Sequence, residues 1–334
     1  MTIMIVGEAF GQQEEEEGKP FVGASGQMLN GILRQVGIDR SDCILTNVFN
    51  FRPARNDIGT LFTSSAKDSV PGIVPMGRGK YLQRAYESSI RELRALRKSV
   101  NPNVIVALGN TALWALTHTV GIAKYRGSPT LTYDERHKVI PTWHPAAILR
   151  QWELRPVAVL DFQKIKREAE YPELRRRSRE LWLAPTLENI KTFYERYIIP
   201  APFLACDIET NSDQITEIGF APSRDRAINI PFWARDKFGG NYWDTKRQEL
   251  EAWEWVRRIC KEKPLVGQNF QYDMQYLYRV MGITTPKMLG DTMLLHHSLQ
   301  PELQKSLGFL GSIYTDEPAW KFMRTQSTTL KKED

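Results

Sequence analysis

The feature that most constrains the fold is an alternation of short apolar runs with helical stretches over the first 170 residues. Strands that alternate with helices predict a parallel sheet with helices on both faces. Four runs rich in Val and Ile each end in turn residues, at 3–6, 43–48, 103–108 and 138–141. Ligands of such sheets bind at the carboxyl ends of the strands. We therefore expect a site formed by the residues that close these runs, namely Gly7-Glu8, Thr46-Asn47, Gly109-Asn110 and Trp143-His144.

A second α/β pattern begins near Leu181. Predicted strands lie at 203–209, 227–232 and 264–266, and predicted helices at 248–261 and 272–281. Because 334 residues suit two domains of about 100–200 residues each, we predict an α/β protein of two domains. Their expected bounds are 1–172 and 201–334, with a basic linker and lead-in at 173–200.

Two segments stand out by their composition, one basic and one rich in Gly, Ser and Pro. Seven basic residues at 164–179 fit a solvated helix face, or alternatively a connector that contacts phosphates. The stretch 57–80 carries Gly, Ser and Pro without periodicity, and we predict a long surface loop there.

Composition narrows the class of protein. A net charge of +6 permits binding to a polyanion. No apolar run reaches the ~20 residues of a membrane span, and the start of the chain lacks the features of a signal peptide. The three cysteines Cys43, Cys206 and Cys260 are widely spaced, which fits a reducing compartment and argues against a disulfide framework. We expect a cytoplasmic protein, in the host cell cytoplasm if it is viral, without a membrane partner.

An ordered series of motifs follows the strands of the first domain. It runs through GEAFG at 7–11, GKPFVG at 18–23, TNV at 46–48, Arg52-Pro53, ALG at 107–109, Arg126-Gly127 and TWHP at 142–145. This series resembles, in the same order over about residues 3–170, the motifs of the family-4 uracil-DNA glycosylases. The resemblance implies a parallel-sheet sandwich that excises uracil from DNA by hydrolysis of the N-glycosidic bond.

The residues of this series also make chemical sense on their own. A base must leave the duplex to be cut, so the site needs a ring that stacks on it, and Phe21 offers one. An amide can accept from the uracil N–H and donate to a carbonyl together, which fits Asn47. His144 is predicted to donate to uracil O2 and stabilise the departing anion. Glu8 and Glu14 are candidates for stabilising the sugar cation or orienting water. We further predict DNA contacts at Arg52, Asn56, Arg126, Arg150 and, in the second domain, Asn269.

The sequence departs from the family pattern at three points. Family members usually carry four cysteines around an iron–sulfur cluster, but the residue before the Arg-Pro step, often Cys, is Phe51 here. We therefore expect no iron–sulfur cluster. Phe10 replaces the motif proline, and Ala9 stands where another glycosylase class has a water-activating Asp. An alternative is therefore a catalytically weak module that binds uracil or another modified base in DNA.

Paired acids mark the second domain. Alternation along the predicted strand puts Asp207 and Glu209 on one face, and Asn269 precedes Asp273 by four residues at the start of a helix. These residues resemble the first two motifs of the DEDD 3′–5′ exonucleases, which implies a ribonuclease H-like domain. Two-metal cleavage needs a carboxylate cluster, and Mg²⁺ or Mn²⁺ prefers such oxygen ligands. We predict that Asp207, Glu209 and Asp273 bind these metals.

The last motif of that exonuclease family is missing from the sequence. It is a Tyr or His followed by an Asp four or five residues later, and we expect it after a position like Lys332. Asp291 and Asp316 are poor substitutes by position. We therefore predict an exonuclease domain that lacks its C-terminal part. The whole arrangement resembles the front of some phage family-A DNA polymerases. The implied partners are uracil-containing DNA, DNA 3′ ends and a polymerase polypeptide that carries the rest of the domain.

Overall fold

The structure is a computed structural model that describes residues 2–237 and 239–319. The chain divides into two compact units. Unit 1 runs to Arg175 and resumes at Gly308, whereas unit 2 comprises Arg176–Leu307. The first unit therefore contains a return segment that the predicted boundary at residue 201 had assigned to the second domain. The expected place of the missing exonuclease motif lies outside the described residues.

Unit 1 is built on a five-stranded sheet in the order β2-β1-β5-β7-β6. The first four strands in this order are parallel, and β6 is antiparallel at the edge. A separate hairpin joins β3 and β4. The strands are β1 (Ile3–Ala9), β2 (Cys43–Phe49), β3 (Phe62–Thr63), β4 (Tyr81–Leu82), β5 (Val104–Leu108), β6 (Thr130–Leu131) and β7 (Lys138–Thr142).

Helices cover both faces of this sheet because its central strands are apolar on both sides. In β1, Ile3 and Ile5 pack in the cluster that includes residues of α2 and α7, whereas Met4 and Val6 pack in the cluster that includes residues of α3 and α4. The helices are α1 (Gln12–Glu17), α2 (Ala24–Val36), α3 (Glu87–Val100), α4 (Gly109–Thr117), α5 (Ile122–Tyr125), α6 (Pro145–Arg150) and α7 (Leu154–Glu168).

Unit 2 has a six-stranded mixed sheet in the order β13-β12-β9-β10-β11-β8. Strands β9, β10 and β11 form an antiparallel meander, β12 is parallel to β9 and β13, and β8 is parallel to β11. The strands are β8 (Glu180–Trp182), β9 (Leu204–Asn211), β10 (Gln214–Ser223), β11 (Arg226–Pro231), β12 (Leu265–Gly267) and β13 (Met288–Asp291).

One face of this second sheet is buried by helices. The strict alternation of β9 shows it, because Leu204, Cys206 and Ile208 are buried while Asp207 and Glu209 are exposed. A π-helical turn at Tyr194–Ile198 follows the first helix. The helices are α8 (Leu187–Phe193), α9 (Lys246–Glu262), α10 (Phe270–Met281), α11 (Thr292–Leu299) and α12 (Leu307–Tyr314), of which α12 leads back into unit 1.

The predicted α/β class is confirmed. The four apolar runs of the first domain are strands β1, β2, β5 and β7. The long loop holds more structure than its composition suggested. It contains short 3-10 turns and strand β3, and Trp114 Nε1 donates to its Val74 carbonyl at 2.8 Å. Within the described part of the chain, no helix is long and apolar enough to cross a membrane.

Candidate active site

A cavity of about 460 Å³ opens at the carboxyl ends of the unit 1 strands, where the sequence predicted a site. Residues that close β1, β2 and β5 and begin α6 line it together. It brings together seven of the candidate residues of the first domain, with Ser25 and Asn110 as two further polar residues of its wall: Glu8, Glu14, Phe21, Asn47, Asn56, His144, Arg150, Ser25 and Asn110.

Gly7 lets the two predicted base-binding side chains meet. It pairs with Asn47 across β1 and β2. A Cβ added at Gly7 would lie 2.5 Å from Phe21 Cζ and closer still to Asn47 Oδ1. Such distances are far below van der Waals contact, so only glycine allows the ring and the amide to approach the strand together.

Phe21 is held in an unusual backbone conformation. Its φ is +58°, in the left-handed region that costs a non-glycine residue energy. Two features hold this turn: the Arg40 guanidinium donates to the Phe21 carbonyl at 3.1 Å, and Gly26 leaves room for that carbonyl, which a Cβ would overlap. The ring is 4% exposed, and its centroid lies 6.3 Å from that of His144.

Glu14 is a connector in the first turn of α1. Its Oε2 accepts from Gly11 N at 3.1 Å, and its Oε1 accepts from Val22 N at 3.2 Å and Gly23 N at 3.0 Å. Three backbone donors therefore converge on one carboxylate that is 9% exposed. This arrangement ties the start of α1 to the loop that follows Phe21.

Asn47 is almost fully buried, at 3% exposure, and lies near the carboxyl end of strand β2. Its backbone N donates to Asn50 Oδ1 at 3.2 Å, which fixes the strand end. Its carbonyl accepts from Thr46 Oγ1 at 3.4 Å, so these two hydrogen bonds run through the backbone. The side chain lines the cavity, where its amide can serve as a donor and acceptor pair for a ligand.

His144 caps the N-terminus of α6. Its Nδ1 accepts from Ala146 N at 3.1 Å, so the proton of the neutral ring resides on Nε2. Burial lowers the pKa of His144 to about 4, with a further lowering by Arg150 and an opposing effect of Glu14. The ring is therefore neutral near pH 7 and has an N–H available to donate. Gly109 backs the ring, because a Cβ there would lie 3.2 Å from His144 Cβ.

Glu8 has one oxygen fixed and lies on the cavity wall. Thr111 Oγ1, in the first turn of α4, donates to Glu8 Oε2. The sequence did not single out Thr111 or Arg40. Neither stands in a recognisable motif, so no signal in one sequence could have identified them.

The structure separates the predicted DNA contacts. Asn56 and Arg150 are exposed and line the cavity. Arg52 is half-buried, and its NH1 lies 3.7 Å from Glu15 Oε2. Asn269 is an exposed residue at the N-terminus of α10.

The placement of Arg126 corrects the expectation of a DNA contact. Its side chain is 2% exposed and forms a buried ion pair with Asp161, to which Nε donates at 2.9 Å. Asp161 also accepts from Thr142 Oγ1 at 2.7 Å. A Cβ at Gly127 would lie 2.5 Å from Asp161 Oδ1, so the Arg-Gly motif here serves packing.

In unit 2, Asp273 reaches back to the strand that carries the paired acids. Its Oδ1 accepts from Ile208 N at 2.9 Å, between Asp207 and Glu209. Burial, opposed by the hydrogen bond from Ile208 N and aided by the nearby Asp207, raises the pKa of Asp273 to about 6. Asp291 is a structural residue instead, because it accepts from the backbone N atoms of Asn269, Phe270 and Met293.

The fit of metal cofactors differs between the units. Among the residues that the structure describes, no three His, Cys, Asp or Glu side chains form a cluster ready for a metal ion. The carboxylate chemistry of Asp207, Glu209 and Asp273 still suits a hard divalent cation. The cysteines of this chain do not by themselves supply the ligand set of an iron–sulfur cluster, because Cys43 is in unit 1 and Cys206 and Cys260 are in unit 2.

Phe51, at the usual cysteine position, belongs to an aromatic cluster. It stacks on Tyr86 at 5.7 Å between ring centroids and meets Phe49 edge to face at 5.9 Å. This packing occupies the position with carbon, so no ligand atom is present there.

Comparison with known proteins agrees with this geometry. The family description "Uracil DNA glycosylase superfamily" matches residues 1–169. The type-4 uracil-DNA glycosylase of Thermotoga maritima is 36% identical over 168 residues, which cover 49% of this chain and 76% of that protein. A DNA polymerase of Bacillus phage SP01 is 24% identical over 329 residues, 88% of this chain and 32% of the polymerase. The solved EXD2 exonuclease domain soaked in Mg and dGMP is 12% identical over 42% of this chain and 71% of that chain, with a TM-score of 0.27.

The fold and cavity of unit 1 define a DNA-base glycosylase class of protein, with polar residues gathered where parallel strands end. The chain belongs to the uracil DNA glycosylase superfamily.

Proposed function

We propose that unit 1 excises uracil from DNA by hydrolysis of the N-glycosidic bond. The observation that carries this proposal is the meeting of Phe21, Asn47 and a neutral His144 around one cavity. A ring, an amide and a neutral N–H donor are the three groups that a flipped uracil requires, for stacking, for edge recognition and for stabilisation of its anion.

Recognition of the base follows from the amide and the ring. A base that has left the stack is read by hydrogen bonds to its edge and by stacking. Asn47 can accept from the uracil N–H with Oδ1 and donate to a carbonyl with Nδ2. Because Gly7 carries no side chain, both Asn47 and Phe21 can pack against β1. The pair is therefore organised before the base arrives, which lowers the entropy cost of binding.

Bond cleavage depends on charge that develops as the C1′–N1 bond breaks. Negative charge moves onto the base, and the Nε2–H of His144 donates to it at uracil O2. A fixed donor of this kind is typically worth ~10²–10³ in rate. Positive charge develops on the sugar, and Glu8 stabilises it or orients the attacking water. Thr111 fixes one oxygen of Glu8 and leaves the other for this task.

Glu14 supports this site by holding the backbone of the loop that carries Phe21. Its two oxygens accept three backbone N–H groups, and we assign it the positioning of the Phe21 loop rather than contact with the sugar.

A second candidate is a module that binds a modified base without cutting it. Phe10 supports this alternative, because it lines the cavity where the family motif has proline. A bulky ring beside Glu8 restricts the space for an attacking water.

For unit 2 we propose a proofreading-type 3′–5′ exonuclease function. Asp207, Glu209 and Asp273 would hold Mg²⁺ or Mn²⁺, which supplies the charge that stabilises the phosphodiester in two-metal cleavage. The similarity to a phage DNA polymerase supports a polymerase polypeptide as the partner and the host cell cytoplasm as the location.

The test of the first proposal is direct. The chain is incubated with uracil-containing single- and double-stranded DNA, and alkali then reveals abasic sites as strand breaks. We expect uracil-dependent breaks with the wild type and strongly reduced breaks with Asn47→Asp, whose carboxylate cannot donate to the carbonyl. Asn110→Asp is the matched control. Asn110 is another Asn of the cavity wall, but its Oδ1 accepts from Gly121 N and Ile122 N, and a carboxylate can accept equally.

Two results would decide against uracil excision. Undiminished cleavage by Asn47→Asp would refute the assignment of the base-binding residue. Tight binding of uracil-DNA by the wild type without abasic sites would establish the binding module instead.

A further inference from the structure

The turn between α6 and α7 exposes apolar side chains beside the cavity. Leu149 is 49% exposed and Trp152 is 61% exposed. Arg150 lies between them and lines the cavity. Trp152 Cα follows Arg150 Cα by two residues, so the two atoms lie within about 7.6 Å of each other. Trp152 therefore lies close in the chain to a residue of the cavity wall, and its side chain is exposed.

An exposed tryptophan at this position needs an explanation. Single exposed apolar residues are ordinary on protein surfaces, but an exposed Trp next to an exposed Leu and a binding cavity is typical of an interaction site. The Trp152 carbonyl accepts from Arg155 N at 2.9 Å, which closes the turn through the backbone. The turn therefore keeps its shape without packing the indole into the core.

The charges around the indole favour a polyanion. The Arg155 guanidinium lies 5.3 Å from the centroid of the Trp152 ring, and Arg150 is exposed two residues before it. Glu153 is the acid in the turn, so the local balance is one net positive charge. An aromatic ring flanked by cations is the arrangement by which proteins bind single-stranded nucleic acid, through base stacking and phosphate attraction.

We infer that Trp152 is a stacking platform for a DNA base that neighbours the target nucleotide. This inference rests on the proposed function, because it requires the cavity to accept a base from a DNA strand. Successive nucleotides of a strand are spaced about 3.4 Å apart along the helix axis. When the target base occupies the cavity, a base one or two nucleotides along the strand comes within reach of the indole. Trp152 holds the displaced strand and favours substrates whose flanking bases are unpaired.

The test measures binding of the full chain to a short labelled single strand that contains no uracil. Trp152→Ala should weaken binding about 5- to 150-fold, the range for loss of one stacked base. Trp152→Phe should keep most of the affinity, because it retains a ring. Glu153→Ala is the matched control in the same turn and should bind at least as well as the wild type. Equal binding by wild type and Trp152→Ala would overturn the inference.

A second measurement locates the stacked base. In a second strand that carries one uracil as the target, an abasic analogue is placed at each position on either side of that uracil, one at a time. We expect one flanking position at which the analogue weakens wild-type binding and leaves Trp152→Ala binding unchanged. The absence of any such position would refute the stacking role of Trp152. Because these assays use binding alone, absent excision with an intact Trp152 effect would count against the proposed function and not against this inference.

Discussion

Two glycines bring the functional side chains of unit 1 to the cavity. Gly7 admits Phe21 and Asn47 against β1, and Gly109 admits His144 at the start of α4. At the residue scale, the chemistry of the site therefore depends on positions that carry no side chain. The tautomer of the neutral His144 ring depends on one backbone N–H, that of Ala146, which donates to Nδ1.

His144 should act as a neutral donor across the ordinary pH range. Because burial lowers its pKa to about 4, below the usual value near 6.5, the neutral form persists above about pH 4, and protonation below it removes the Nδ1 acceptor that Ala146 N uses. Excision rates should show no step near pH 6.5, and His144→Ala should lower the rate ~10²–10³ at every pH tested. The control is His118→Ala, which removes a histidine that stacks on Tyr133. A wild-type step near pH 6.5 that vanishes in His144→Ala would contradict the neutral donor.

Gly7→Ala should disable the site while the fold survives. The added methyl group would overlap Phe21 and Asn47, and overpacking of this kind typically costs about 1–3 kcal/mol of stability. We expect kcat/KM for uracil excision to fall at least about tenfold. Gly31→Ala is the matched control, because a Cβ at Gly31 has no neighbour within 4 Å and alanine favours helix α2. Equal activity of the two variants would show that the close approach at Gly7 has no functional weight.

At the scale of elements, the loop between α1 and α2 is organised by Glu14. One carboxylate joins the first turn of α1 to the backbone beyond Phe21, so the helix and the loop that holds the stacking ring are tied together. Arg40 adds a second tie from the short turn before β2. The loop is thus positioned by two charged side chains that contact backbone atoms.

Glu14→Gln separates a positioning role from a catalytic one. The amide nitrogen of Gln cannot accept from a backbone N–H, and a buried donor left unpaired costs about 1–3 kcal/mol. We expect weaker binding of uracil-DNA, seen as a raised KM with a smaller change in kcat. Glu17→Gln at the exposed end of α1 should change neither. A fall in kcat with unchanged KM would instead place Glu14 at the reacting sugar.

Several elements could be predicted from the sequence because periodicity and motif order act locally. The strand ends that carry Asn47 and His144 follow from apolar runs, and the pairing of Asp207 with Glu209 follows from strand alternation. Strand β10 was not predicted, because its Glu217 and Pro222 obscure the apolar alternation. The burial of Arg126 could not be read either, since its partner Asp161 is 35 residues away.

At the scale of the whole molecule, unit 1 is completed by residues that follow unit 2 in the chain. Lys164 Nζ donates to the carbonyls of Gly127, Ser312 and Thr315. Arg126 donates to Ser312 Oγ at 2.9 Å. Burial lowers the pKa of Lys164 to about 8. Two buried cations of unit 1 therefore rely on the segment after Gly308 for their hydrogen bonds.

Removal of that segment should loosen unit 1 around α7. A chain that ends at Leu307 leaves Lys164 and Arg126 with fewer partners, and each unpaired buried group costs about 1–3 kcal/mol. Hydrogen exchange of α7 amides should become faster than in the full chain. A chain that ends at Glu317 keeps Ser312 and Thr315 and should retain protection. Identical exchange in the two shortened chains would show that the segment does not support α7.

The return of the chain at Gly308 also delays the completion of unit 1 during synthesis on the ribosome. The strands of unit 1 emerge first, but the carbonyls that complete its buried cations are made only after all of Arg176–Leu307. At about 5–20 residues per second, that delay is on the order of 10 s. During this interval Lys164 and Arg126 lack partners from the return segment. The nascent glycosylase unit reaches its final state only when the polypeptide of the second unit has already been translated.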